Sequence, residues 1–229
     1  SSFTPVTAWG GYDKPGQEGH QAMEEEIYLG LCWRWRNFPK PTIAEVQGKV
    51  IAGGLMLVWV CDLIIASEEA TFSDPVVAFG VNGVEYFAHP WEFGTRKAKE
   101  LLFTGGMMSA VEAHSAGMVN HVVSREDLTG FTTQMADRIA QRPSMGLRLA
   151  KQSVNQAQDA QGLWSALKAA MSLQQLGHAG IAVGEIPEAQ LDAFHDQRID
   201  RLFDRLLQRQ LVGLVGGEPG LGLEQFAEG

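Results

Sequence analysis

The most constraining feature of the sequence is the stretch 41–72, in which a glycine turn and an apolar helix stand between two strands. Residues 42–47 alternate in the way that favours a strand, and Pro41 suits the start of one. Residues 55–61 are apolar on every side, as in a helix buried on all faces. Residues 63–66 form a second apolar run, typical of a buried parallel strand. The stretch therefore predicts an α/β unit whose helix passes through the core.

Two glycines, Gly53 and Gly54, precede this helix and predict a place where a ligand oxygen can approach the backbone. The first N–H groups of a helix have no intrahelical acceptor and lie at the positive end of its dipole. Glycine has no side chain to hold a ligand away. One such donor is typically worth about 3–4 kcal/mol when the bound oxygen gains charge in a transition state. Tight packing of strand against helix explains the same glycines without a ligand, so the pair alone leaves both interpretations open.

Composition and charge exclude several classes of protein. A net charge of −9 over 229 residues, with no basic run, argues against a nucleic-acid surface. We expect no membrane span, because no stretch approaches about 18 uninterrupted apolar residues, and no secretory signal. The two cysteines, Cys32 and Cys61, have no metal-binding spacing. A cytoplasmic setting fits them, and we expect no metal and no resident cofactor.

The apolar pattern divides the chain into three regions. Residues 1–20 contain several glycines and prolines and read as loop or partly disordered. Residues 21–142 contain strands joined by crossover helices, which indicates an α/β core. Residues 143–229 read as helical, with a break near residues 158–162 and an amphipathic helix over residues 188–210.

Local signals predict two helix starts. A helix over residues 21–38 should carry the acidic run 24–26 in its first turns, where negative charge suits the helix dipole. Ser109 followed by Glu112 three residues later is a capping box, which predicts a helix beginning just after Ser109.

Longer motifs resemble a known family. In chain order they are KPTIAEVQG (40–48), AGG (52–54), CDLIIA (61–66), ATF (70–72), RKAKELLFTG (96–105) and SAVEAHSAGMVNHVV (109–123). Taken together over residues 39–177, they resemble the core signature of the enoyl-CoA hydratase/isomerase (crotonase) family.

The resemblance implies a spiral of ββα units, a helical C-terminal part and a homotrimer or homohexamer. It also implies an acyl-CoA thioester as substrate, with coenzyme A as part of that substrate. In the family, two backbone N–H groups hold the thioester oxygen while an enolate forms, and one of them matches Gly53. The other belongs to a loop in an N-terminal unit for which this chain shows no counterpart, so we expect that unit to be missing.

The resemblance also marks where this chain departs from the family pattern. The two positions at which family hydratases carry glutamates are Met56 and Val76 here. Adding water needs one carboxylate to deprotonate it and another to supply the proton, so ordinary hydration is not expected. Glu85 follows the turn at 82–83, in the loop from which some isomerases and dehalogenases of the family place a carboxylate. Its apolar neighbours predict a raised pKa suited to proton transfer, although a surface or capping role is the alternative.

These considerations predict an acyl-CoA enzyme of fatty acid metabolism, a lyase or isomerase, with Gly53 and Glu85 as catalytic residues. A single carboxylate fits double-bond isomerisation better than hydration. Four side chains are predicted to line an apolar substrate pocket, with packing in the core as the alternative: Met56, Val76, Phe79 and Trp91.

Two other functions compete with this one. A non-catalytic acyl-CoA-binding or assembly protein would retain the fold and lose the carboxylates. A serine hydrolase on a related spiral fold is excluded, because residues 52–55 offer no serine nucleophile. His89 is a weaker acid/base candidate, for which a packing role is favoured.

Overall fold

The computed structural model of the chain describes residues 6–7 and 14–182. The strands in this part of the chain are β1 (Ile43–Val46), β2 (Lys49–Ile51), β3 (Leu63–Ser67), β4 (Thr71–Ser73), β5 (Met107–Ser109) and β6 (His121–Val123). The α-helices are α1 (Gly16–Glu24), α2 (Leu31–Arg36), α3 (Gly53–Trp59), α4 (His89–Thr104), α5 (Ala110–Ser115), α6 (Leu128–Ala140), α7 (Ser144–Ala160) and α8 (Leu163–Ala182). A π-helical segment (Glu25–Gly30) joins α1 to α2, and Val76–Phe79 forms a 3-10 helix. The helix predicted over residues 188–210 lies outside the described residues.

The strands form two three-stranded sheets in the orders β1-β3-β6 and β2-β4-β5. Consecutive strands β1 and β2 therefore lie in different sheets, and they pair in parallel with β3 and β4 respectively. The register places Ile43 opposite Leu63 and Lys49 opposite Thr71. The pair β3 and β4 thus repeats the pair β1 and β2 one strand further along both sheets, which is the arrangement that stacked ββα units produce. Strand β5 departs from this pattern, because it pairs with β4 in the antiparallel direction.

Helix α3 lies in the core, as its apolar pattern predicts. Of its seven residues only Leu57 is partly exposed, and the others are buried. It begins at Gly53, two residues earlier than the apolar run indicates. The large buried side chains around it include Phe72 of β4, Tyr86 and Met108 of β5.

The helix predicted over residues 21–38 begins at Gly16, so the prediction of a loop over residues 1–20 was wrong at its C-terminal end. Glycines in this first turn hide the helical signal. Gly19 nevertheless has a packing role, because a Cβ atom there would lie 1.8 Å from the carbonyl oxygen of Lys14. Only glycine lets the preceding chain pass so close to the helix.

The acidic run at residues 24–26 was expected in the first turns of a helix, and that expectation was wrong. It lies at the junction of α1 with the π-helical segment, and all three carboxylates are buried. Buried charges require partners, and each has one. Glu24 accepts a hydrogen bond from Gln175, Glu25 pairs with Lys168, and Glu26 pairs with Arg34. Two of these partners come from α8, so the acidic run fixes the N-terminal helix, meaning α1 together with the π-helical segment, against α8.

The C-terminal half of the described chain is mainly helical. Helix α4 bends at Phe93 and Gly94, where the backbone leaves the helical region. Helices α7 and α8 are separated at Gly162, whose φ of 93° is a left-handed value that favours glycine. The predicted break near residues 158–162 is therefore confirmed. None of the helices in the described part of the chain combines the length and apolar composition needed to cross a bilayer.

The capping box before α5 yields the first prediction. The Ser109 hydroxyl accepts from the Glu112 N–H, and the Glu112 carboxylate accepts from the Ser109 N–H at 2.8 Å. We expect Ser109→Ala to lower the free energy of unfolding by about 1 kcal/mol, because the cap is lost. Ser115→Ala, at the other end of α5, is the control and should change it by less than about 0.5 kcal/mol. Urea unfolding of both variants measures this, and equal effects would contradict the prediction.

Candidate active site

The glycine turn contains one strained residue, Ala52, whose backbone makes two hydrogen bonds. Ala52, the residue before α3, has φ 46° and ψ −113°, and among the described residues it is the one non-glycine with positive φ. Its N–H donates to Ser73 O at 3.0 Å, and its carbonyl accepts from Leu55 N at 2.8 Å. The turn directs the chain from β2 into α3, so that the first helical N–H groups are those of Gly53 and Gly54. Helix geometry leaves these N–H groups without an intrahelical acceptor.

The loop carrying Glu85 packs one helical turn from that site. The Val84 N–H donates to Asp74 Oδ2 at 3.0 Å, and the Tyr86 N–H donates to Met56 Sδ at 3.4 Å. Met56 lies three residues after Gly53, a rise of about 4.5 Å along α3. The backbone on either side of Glu85 is therefore fixed to α3 and to Asp74.

The Glu85 side chain faces the N-terminal helix and α8. Its Oε1 accepts a hydrogen bond from Gln174 Nε2 at 2.9 Å. Burial and, to a smaller extent, the charge of Glu24 raise the pKa of Glu85. Hydrogen bonds from the backbone and from Gln174, together with the proximity of His178, act in the opposite direction, and the resulting pKa is about 7. The carboxyl is therefore poised between its two protonation states at neutral pH, which is suitable for proton transfer.

The four predicted pocket residues have different surroundings. Met56 and Val76 are buried in the core, and Phe79 is partly buried against it. Trp91 instead lines a cavity of about 210 Å³ at the other end of α3, beside Trp59. Their role in substrate binding stays a prediction, and for Trp91 the structure offers a location distant from the glycine turn.

Sequence reasoning missed a second carboxylate, Glu92. It lines the same cavity as Trp91, together with Arg36, and burial raises its pKa to about 8. Arg36 donates to the carbonyl oxygen of Asn155 at 3.0 Å. Nothing in the local sequence distinguishes Glu92, because its burial depends on the bend of α4 and on the packing of α7.

His89 is packed, as the sequence favoured. Its Nε2 lies 2.8 Å from Asp74 Oδ2, and the side chains of both residues are almost completely buried. Its ring meets Trp59 edge to face, with a centroid distance of 4.8 Å. Asp74 thus connects two elements, since it also accepts from the Val84 N–H.

The sequence also did not predict a cluster of three titratable side chains, which are those of His20, Glu24 and His178. One ligand atom from each of the three lies within 4.8 Å of the others. His20 and Glu24 lie one turn apart on α1, but His178 comes from α8, far along the chain. Sequence spacing therefore gave no signal for this cluster.

Most of the chain is similar to proteins of one known family. A family model described as enoyl-CoA hydratase/isomerase matches residues 11–198. A Mycobacterium tuberculosis protein named "Putative enoyl-CoA hydratase EchA13" is 49% identical over 165 residues, covering 72% of this chain and 52% of that protein. A Dictyostelium discoideum protein named "Probable enoyl-CoA hydratase, mitochondrial" is 38% identical over 55% of this chain and 47% of its own length. The chain thus spans about half the length of the curated relatives it matches.

A solved structure agrees with these relatives. That of a "probable enoyl-CoA hydratase" from Mycobacterium thermoresistibile is 49% identical and has a TM-score of 0.73, covering 75% of this chain and 73% of that one. The predicted α/β fold with a helical C-terminal part is therefore confirmed.

The strained residue before α3 leads to a prediction. We expect Ala52→Gly to raise the free energy of unfolding by up to about 1 kcal/mol, because glycine removes a strain of about 1–3 kcal/mol and sacrifices one buried methyl group. Ala44→Gly in β1 is the matched control and should lower it by about 1 kcal/mol. Chemical denaturation distinguishes the two, and a loss of stability at Ala52 equal to that at Ala44 would contradict the role of strain.

The buried Asp74–His89 pair should contribute strongly to stability. We expect Asp74→Ala to lower the free energy of unfolding by about 3–5 kcal/mol, because it leaves His89 and the Val84 N–H without their acceptor. Glu100→Ala removes an exposed ion pair with Lys97 and should cost less than about 1 kcal/mol. Denaturant midpoints of both variants test this, and a small effect at Asp74 would show that the pair contributes little.

Proposed function

The chain belongs to the enoyl-CoA hydratase/isomerase family, and on that premise we propose that it shifts a double bond in an acyl-CoA thioester with a single carboxylate, Glu85. The substrate class is a 3-enoyl-CoA ester, with coenzyme A as part of the substrate and no separate cofactor. The observation that carries the proposal is the Glu85 carboxyl, whose pKa is about 7 and whose loop packs one turn from the glycines of α3.

In this proposal the Gly53 N–H donates to the thioester oxygen. Glu85, as the carboxylate, removes a proton from C2 of the substrate, and the electron pair moves into the thioester to give a dienolate. The negative charge that develops on the thioester oxygen is stabilised by the Gly53 N–H and the dipole of α3. The Glu85 carboxyl then returns its proton to C4, which gives the 2-enoyl ester and restores the carboxylate.

The number of groups needed for proton transfer favours isomerisation over hydration. One proton leaves and one returns, so a single group with a pKa near neutral performs both steps. Hydration needs two groups, and the corresponding positions are occupied by Met56 and Val76, whose side chains exchange no proton and are buried. Met56, Val76 and Phe79 are proposed to contact the acyl chain near the glycine turn. Trp91 is the least supported of the four predicted pocket residues, because it lies at the other end of α3.

A non-catalytic acyl-CoA-binding or assembly protein is the second candidate. The burial of Met56 and Val76 favours it, because the two usual carboxylates are replaced by core side chains. Both candidates share a proposed homotrimer or homohexamer in the cytoplasm. Support for assembly comes from large apolar side chains exposed on the N-terminal helix and α8, namely Ile27, Leu173 and Leu176.

Glu85→Gln tests the proposal. With 3-enoyl-CoA as substrate, we expect kcat to fall by about 10²–10⁴-fold, because the amide cannot accept the C2 proton. The Kd of the ester should change little. In the unmodified protein kcat/KM should rise with pH and level off above about 7, since Glu85 must be ionised to act as a base.

Glu92→Gln is the matched variant, since Glu92 also has a pKa raised by burial but lies at the opposite end of α3. It should retain most of the activity. Loss of activity in Glu92→Gln and not in Glu85→Gln would overturn the assignment. Binding of acyl-CoA without turnover in the unmodified full-length protein would favour the second candidate.

A further inference from the structure

We propose that His20, Glu24 and His178 form a binding site for a divalent metal ion of the zinc class, held between α1 and α8. Two imidazoles and one carboxylate form a donor set that suits zinc and its neighbours in the first transition row.

The distances between donor atoms fit such an ion. His20 Nε2 lies 3.1 Å from Glu24 Oε1, and His178 Nδ1 lies 3.3 Å from Glu24 Oε2. In a tetrahedral site with bonds of about 2.0–2.1 Å, neighbouring ligand atoms lie about 3.3 Å apart. The two imidazole rings also converge, with centroids 5.1 Å apart. Each imidazole thus approaches a different oxygen of Glu24, and one donor atom from each of the three side chains lies within 4.8 Å of the other two. Rotation of these side chains would bring the three donor atoms to one ion.

A poorly satisfied nitrogen points to a ligand at this position. His178 Nδ1 is buried, and its contact with Glu24 Oε2 at 3.3 Å does not have the geometry of a well-formed hydrogen bond. A buried polar atom without a partner carries a desolvation cost of about 1–3 kcal/mol. Coordination of a metal through the lone pair of that nitrogen removes the deficit.

Surrounding groups orient the carboxylate and supply a charge balance for the ion. Gln175, one turn before His178 on α8, donates a hydrogen bond to Glu24, and such outer contacts fix the direction of a ligating carboxylate. Glu85 lies close enough to Glu24 for its carboxyl to feel that negative charge. Glu85 thus brings a second carboxyl group close to Glu24, and a divalent cation bound there would reduce the repulsion between the two groups.

Three protein ligands leave one tetrahedral position for water or another donor. The ion would connect α1 to α8 directly, so metal binding should stabilise the folded chain. This inference does not depend on the catalytic role of Glu85, because metal binding is measured without substrate. An ion pair of protonated histidines with Glu24 explains the same distances without a metal, and the experiment must separate these two interpretations.

The probes are Co²⁺ and Zn²⁺, added to the full chain after chelator treatment and removal of any histidine tag. We expect one equivalent of Co²⁺ to bind and to give the visible absorption bands of a four-coordinate ion. Zn²⁺ should displace it and should raise the Tm. His20→Gln and His178→Gln should each weaken binding by more than about 100-fold, because loss of even an outer-shell partner costs about 10–100-fold.

His121→Gln is the matched control. His121 is exposed on β6 and its ring packs on Phe131, so its replacement should leave metal affinity unchanged. Circular dichroism shows whether each variant is folded. Absence of a four-coordinate Co²⁺ spectrum in the unmodified chain would overturn the proposal and leave the ion-pair interpretation. Binding with equal affinity in the folded His20→Gln and His178→Gln variants would place the metal elsewhere and would overturn it equally.

Discussion

The described structure depends on the burial of α3. This helix is surrounded by the two sheets and by the loop that carries Glu85, and it can be buried because its residues are apolar on every face. Its burial fixes the glycine turn at one end and the cavity at the other. The strain at Ala52 is tolerated for the same reason, since the strand before it and the helix after it are both held in the core. The position of the Gly53 N–H is therefore a consequence of packing.

Buried carboxylates connect the N-terminal helix to α8. The acidic run at residues 24–26 holds the N-terminal helix to α8 through buried partners. Glu85 lies in the same region, between that run and Gln174. Carboxyl groups are thus concentrated where α8 covers the Glu85 loop, whereas Met56 and Val76 are apolar and buried in the core.

The sequence predicted those features that depend on neighbouring residues. The apolar run of α3, the capping box at Ser109 and the break near Gly162 each arise from contacts a few residues apart, and the structure contains all three. Features that depend on distant partners were not predictable in this way. The burial of Glu24 requires Gln175, and the raised pKa of Glu92 requires the bend in α4 and the approach of α7. The role of Glu85 stays a prediction, and it was the family resemblance, not the local pattern, that marked its loop.

The surroundings of Glu85 make its ionisation costly, which affects the pH dependence of stability. An ordinary glutamate ionises near pH 4.5, whereas this carboxyl does so near 7. The folded chain therefore holds a proton that the unfolded chain has released between these values. Its contribution to stability falls as pH rises through this window and is constant above it, by an amount on the order of a few kcal/mol. A glutamine would preserve most of the contacts of this side chain without that penalty. Retention of the acid where it destabilises the fold at neutral pH is consistent with a group that exchanges a proton.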